Sequence, residues 1–180
     1  EVIRDSLLEV SGRLDRQTGG APLKLKTINL SPEILEQQQK HYDESNRRSI
    51  YLPVLRTNVY DFLTLFDFAN PDLPTGDRVT TTVPTQAMLM MNSSLVKDAA
   101  TRLAGNVLND PALHSDSARI RNVYQVLYSR QPTKAEEAIA SEFIADYSSI
   151  LDEEKHTDAE SAWAKLCHAL LAGSEFIYLR

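Results

Sequence analysis

Hydrophobic positions along this chain follow two kinds of order, one helical and continuous, the other broken. From Pro84 onward apolar residues recur every three or four positions, the period of amphipathic helices. The spacing predicts a helix over residues 84–91 and another from Ser93 or Ser94, carrying Leu95, Val96, Ala99, Leu103, Val107 and Leu108 to a stop near "NDP". A third covers 116–129, with Ile120, Val123, Tyr124 and Leu127 inward. Capping boxes open the next two, Thr133 with Glu136 and Thr157 with Glu160. A hydroxyl and a carboxylate at that spacing satisfy the free amides of a helix start. Phe143, Tyr147 and Leu151 line the first of these helices; Trp163, Leu166, Leu170 and Leu171 line the second, which stops at Gly173.

Before Pro84 the pattern weakens. Val2, Ile3, Leu7, Leu8 and Val10 share roughly one helical face, and Gly12 offers a left-handed stop. "DRQTGGAP" is turn chemistry, and "LKLKTINL" alternates only enough for a short strand. "SPEILEQQQ" begins an exposed helix, with Ser31 as N-cap and Pro32 at its first position. In "RRSIYLPVLR", residues 47–56, Ile50, Leu52 and Val54 alternate with Tyr51 and Leu55. That stretch is the best strand candidate, and Pro53 confines it to an edge. Val59, Phe62, Leu63 and Phe66 form one helical stripe, ended by "ANPDLPTGD". The expected fold is mainly α: a bundle of five to seven helices, an irregular N-terminal arm, and at most one short edge strand or hairpin. One domain spans 1–180, with the arm over 1–83 and the bundle over 84–180. Its opening inside a helical pattern reads as a fragment of a larger protein.

"PTQAMLMM" is apolar on nearly every side, so it is expected to be buried. Gln86 then enters the core, where an unpaired amide costs about 1–3 kcal/mol. Thr80, Thr81 and Thr82 or the 47–56 stretch would supply its partners. Such a cluster is either a polar clip fixing the arm to the bundle or a ligand site framed by Arg78, the threonines, Gln86 and Asn92. Arg47, Arg48 and Arg56 flank an apolar stretch, and guanidinium forks suit carboxylates, phosphates and sulfates. Internal ion pairs with Asp67, Asp72 and Asp77 are the alternative. Those aspartates are also the one plausible acid–base group, the kind of paired carboxylate used in glycoside hydrolysis. Tyr51, Tyr60, Phe62 and Phe66 are either a sugar-stacking platform or core.

Charge and composition narrow the partners. A net charge of −6 and a pI near 5.2 argue against a sequence-independent grip on nucleic acid. No run of eighteen apolar residues is present, so no membrane span is expected. The single cysteine, Cys167, excludes an intrachain disulfide within this sequence and a four-cysteine zinc site. The four histidines are scattered, and no CxxCH, P-loop, dinucleotide fingerprint or Gly-x-Ser-x-Gly elbow occurs.

The ordered set "RDSLLEVSGRLD", "RRSIYLPVLR", "LFDFANPD", "VTTTVPTQAMLMMNSSLV", "YSRQPTKAEE" and "WAKLCHALLAGSEFIYL" resembles the planctomycete-specific C-terminal domain of unknown function 1553. The likeness runs over nearly the whole chain except about residues 21–45. It implies the closing domain of a large exported protein, with cytochrome-c-type haem in an upstream domain and no cofactor in this chain. An extracytoplasmic setting follows from that resemblance. So do partners among the upstream domains or other proteins, with a glycan as a further candidate. The family supplies no catalytic residues; Arg47, Arg48, Arg56, Asp67, Arg78, Thr81, Gln86 and Asn92 are its candidate binding positions. Ala69 stands where the family often has proline. The expected role is a non-catalytic scaffold or interaction module, against a carbohydrate-binding or glycan-processing alternative at residues 47–92. Electron transfer by the chain itself would need a cofactor for which these residues offer no ligands.

Overall fold

The computed structural model describes residues 1–20, 32–56, 58–78, 80–153 and 159–178. Nine α-helices and no strand lie among the described residues. The chain divides into two compact units, Glu1–Glu9 with Arg13–Leu89, and Val10–Gly12 with Met90–Arg180. The expected mainly α fold is what the chain adopts. The "LKLKTINL" strand, the Ser31 cap, the Thr157–Glu160 box and the Leu151 side chain lie outside the described residues.

The first unit contains most of α1 (Val2–Val10), α2 (Pro32–Glu44), a 3-10 turn (Ser49–Tyr51), α3 (Asp61–Leu65) and most of α4 (Pro84–Asn92). Arg4, Leu7 and Leu8 are buried, and their spacing puts them on one face. Val2 is 76% exposed, which corrects its expected inward placement. At 100° per residue it falls opposite the Arg4–Leu7–Leu8 stripe. Tyr42 stacks on Tyr60 at 5.0 Å, Tyr60 on Phe62 at 6.1 Å, and Phe62 packs on Phe66 at 5.2 Å. This aromatic row is core, with Tyr42, Tyr60 and Phe62 all buried.

The expected strand over 47–56 does not form. Tyr51 and Leu52 donate backwards to the Arg48 and Ser49 carbonyls at 2.9 and 3.1 Å, which makes the 3-10 turn. Pro53 has no amide to give. One isolated bridge, Asp15 to Arg47, is all the pairing in this stretch among the described residues. Leu52 is buried while Ile50 is 73% exposed, so the alternation does not mark a packed face.

The second unit holds the end of α4, then α5 (Ser94–Leu108), α6 (Asp116–Tyr128), α7 (Lys134–Glu153), α8 (Ala159–Leu171) and α9 (Ser174–Ile177). Helices α5 and α8 share the most extensive packing. Leu95, Val96, Ala99, Ala100, Leu103, Ala104 and Val107 are buried on α5, and Ala162, Trp163, Leu166, Cys167 and Leu171 on α8. α6 adds Ile120, Val123 and Tyr124 as its stripe predicts. On α7 the buried residues are Ala140 and Ile144. Phe143 and Tyr147, expected to line it, lie half-buried on the flank and stack on each other at 5.8 Å. Burial pushes the Cys167 thiol up to about 12.

Helix α4 corrects a stronger expectation. Gln86 and Met90 are buried, one turn apart, but Met88 and Met91 are each 60% exposed. A nine-residue helix needs only one inner face, and here that face is anchored through an amide.

Candidate functional site

Three polar knots hold the backbone, two in the first unit and one in the second. The first is built by the dipeptide Arg4–Asp5. Arg4 is fully buried; its Nη2 donates to the carbonyls of Tyr42 (3.0 Å) and Ser45 (2.5 Å), at the end of α2. Those carbonyls have no partner within the helix, and the negative end of the helix dipole favours a cation there. Nη1 donates to the Arg47 carbonyl at 2.9 Å and to Ser49 Oγ at 3.4 Å. Asp5 does the complementary job, accepting from Ser49 N–H (2.8 Å) and Ser49 O–H (2.6 Å) at the start of the 3-10 turn. Adjacent side chains of opposite charge thus stitch together two opposite helix ends. Burial lowers the Arg4 pKa, while Tyr60, Asp5 and Asp43 pull it back. Arg4 Nε is buried without a partner among the described residues. Next to it, the Tyr60 hydroxyl donates to the Asp43 carboxylate, and burial with that contact pushes the phenol pKa up. The Tyr42 hydroxyl donates to the Pro53 carbonyl at 2.8 Å.

The second knot joins three of the candidate residues. Gln86 is 2% exposed; its Nε2 donates to the carbonyls of Leu65 (3.0 Å) and Thr81 (3.2 Å), and its Oε1 accepts from Val83 N–H. Thr81 donates its amide (2.7 Å) and hydroxyl (2.8 Å) to the Asp67 carboxylate. Asp67 has φ of +58°, a left-handed conformation that costs a non-glycine residue roughly 1–2 kcal/mol. It is the residue just past the end of α3, where Phe68 N–H returns to the Leu63 carbonyl at 3.1 Å. That closure is usually made with glycine, as at the end of α1, where Gly12 has φ of +70° and Arg13 N–H reaches Leu8 at 2.8 Å. The clasp on Thr81 compensates Asp67 for its strain.

The remaining candidates do not converge. Arg78 lies exposed, forked onto Glu1 at 2.9 and 3.0 Å and over the Phe68 ring at 5.4 Å. Arg47 donates to the carbonyls of Gln17 (2.9 Å) and Gly19 (2.6 Å), sits 3.6 Å from Asp15 and covers the Tyr51 ring at 4.7 Å. Arg48 and Arg56 are exposed, with no partner among the described residues. Asn92 is exposed at the end of α4, and Asp72 and Asp77 are exposed in the loop after α3.

The knot in the second unit centres on Arg130. Nε and Nη2 fork onto Glu175 at 2.6 and 2.8 Å, Nη1 and Nη2 fork onto Glu136 at 2.9 and 2.7 Å, and Nη1 also reaches the Gln131 carbonyl at 3.1 Å. All five guanidinium donors are engaged. The rings of Tyr124 and Tyr128 lie 5.5 and 5.6 Å from the same group. Glu136 is the carboxylate of the expected capping box, which forms: Thr133 N–H reaches it at 2.7 Å, and Thr133 Oγ1 accepts from Glu136 N–H at 3.3 Å. Arg130 and Thr133 hold the Glu136 pKa down at about 2. Ser129, at φ of +56°, turns the chain just before Arg130.

Arg4, Asp5, Tyr42 and Arg130 were outside the sequence candidates. The one available signal for Arg4 was its position three and four residues before Leu7 and Leu8. Among the described residues no group of three or more His, Cys, Asp or Glu could hold a metal ion, and no helix is long and apolar enough to cross a membrane. No curated protein and no solved structure matches the chain. A family profile matches residues 1–144, a range that takes in the Arg4, Gln86 and Arg130–Glu136 contacts. The chain belongs to that family, PSD1, described as protein of unknown function (DUF1553).

Proposed function

We propose that this chain is a non-catalytic helical scaffold and interaction module of a larger extracytoplasmic protein, docking on the rest of that polypeptide or on a protein partner. One observation carries the reading: the buried and half-buried polar groups are spent on the backbone and on each other. Arg4 is consumed by carbonyls, Asp67 by Thr81, Gln86 by Leu65, Thr81 and Val83, and Arg130 by two carboxylates. A glycan-processing site has less support. The Asp67 carboxylate is taken by Thr81, and the rings of Tyr60 and Phe62 lie in the core. In this reading haem c of the parent protein belongs to an upstream domain. Cross-linking mass spectrometry on the full-length natural protein tests the proposal. Exposed lysines such as Lys40 and Lys97 should link to residues outside this chain. Links confined to the chain, or turnover of a glycan by the isolated chain, would sink it.

A further inference from the structure

The first unit has seven arginines, and five of them are engaged. Arg4, Arg47 and Arg78 hold the contacts above, Arg13 donates to Asn46 at 3.0 Å, and Arg16 to Glu9 at 2.5 Å. The two without a partner among the described residues, Arg48 and Arg56, bracket one loop. Between them Ile50 and Val54 are 73% and 44% exposed. Exposed cations and bare aliphatic side chains therefore share a nine-residue stretch in a chain whose net charge is −6.

The loop is also fastened from behind. Asp5 holds the Ser49 amide at 2.8 Å, the Tyr42 hydroxyl holds the Pro53 carbonyl at 2.8 Å, Leu52 is buried, and Asn58 N–H returns to the Leu55 carbonyl at 3.1 Å. A segment anchored at Ser49, Leu52 and Pro53 presents Ile50 and Val54 outward with little ordering left to lose on binding.

We propose that residues 48–56 form a docking edge for a peptide segment that combines acidic and aliphatic residues, Arg48 and Arg56 taking carboxylates and Ile50 and Val54 the aliphatic side chains. Guanidinium matches carboxylate in bidentate geometry. The apolar side chains favour a peptide over an anionic glycan, because among the described residues the aromatic rings of this stretch are taken: Tyr51 already carries Arg47 on its ring, and Tyr60 and Phe62 are buried. The proposal rests on the interaction-module reading and gives it a surface.

The test is an array of synthetic dodecapeptides alternating Asp or Glu with Ile, Val or Leu, probed with the full chain. Matched peptides carry Lys in place of the acids or Ser in place of the aliphatics, and immobilised heparin serves as the glycan arm. The acidic–aliphatic peptides should capture the chain, capture should weaken as salt rises, and R48E/R56E should weaken it by about tenfold or more. I50S/V54S should weaken it as well. All four positions are exposed or on the loop surface, so circular dichroism should show both variants folded. Failure of every acidic–aliphatic peptide to bind, unchanged capture by R48E/R56E, or capture by heparin alone would overturn the proposal. Cross-links from this chain to its parent protein that persist in R48E/R56E, with a silent array, would remove this surface while leaving the module reading standing.

Discussion

In the first unit the bulkiest fully buried side chains are Arg4 and Tyr42; in the second they are Met90, Leu95, Ile120 and Leu171. One core is organised by a cation aimed at helix-end carbonyls, the other by apolar stripes and small residues. Apolar packing tolerates exchange of similar volumes, whereas a buried polar network holds only when each member finds its partner. The contrast predicts that the first unit fails at single polar atoms and the second at whole helices.

The largest effect should come from ending the chain at residue 144, where the family match stops. That cut removes α8, with Trp163, Leu166, Cys167 and Leu171. Each large apolar side chain contributes roughly 1.5–3 kcal/mol, against a typical domain stability of about 5–15 kcal/mol. Hydrogen exchange should show α5 losing protection while α1 keeps it; protection retained on α5 would break the comparison. Next comes Arg4→Met, which strands the Tyr42, Ser45 and Arg47 carbonyls and should cost about 3–5 kcal/mol. Trp163, the one tryptophan, is buried in the second unit and should report an unchanged urea midpoint while the helical signal of the first unit melts earlier. Coincident shifts would mean that the two units unfold together.

Acid sharpens the contrast on the other side. Glu136 has a folded pKa of about 2 against an ordinary 4.5, so its ion pair with Arg130 stabilises the fold fully above about 4.5. That contribution is lost as pH falls toward 2. Trp163 fluorescence in urea should therefore show a midpoint dropping through this window, and Glu136→Gln should flatten the drop. Arg4 keeps its carbonyl partners throughout. The smallest effect concerns the two strained residues. Ser129→Gly should stabilise the second unit by up to about 1 kcal/mol by relieving its left-handed backbone. Asp67→Gly should instead lower stability, since it also releases Thr81. Thermal melts distinguish the two signs.

The second unit was legible in the sequence because its order is written in side-chain type. Leu95, Val96, Ala99 and Leu103 recur at helical spacing, and Thr133 with Glu136 makes a capping box whose bonds form. The first unit was less legible because its order is written in backbone atoms. No residue pattern announces that Arg4 will meet the carbonyls ending α2, some forty positions away. Residues 47–56 alternate like a strand, yet the Tyr51 and Leu52 amides turn back on the same stretch. The sequence pattern marks Gln86 as a buried amide but not the exposed faces of Met88 and Met91, since hydropathy alone does not say how many sides of a short helix are covered. Of the candidate residues, Asp67, Thr81 and Gln86 meet; Arg47, Arg48, Arg56, Arg78 and Asn92 lie apart, because proximity in sequence across loops rich in proline carries little information about direction.

Cys167, sealed on α8 with its thiol pushed up to about 12, makes the chain its own stopwatch. Alkylating reagents need the thiolate, so modification must await the parting of α8 from its neighbours. Timed trapping with iodoacetamide, one adduct per chain, would then count the openings of the second unit directly, with no introduced probe.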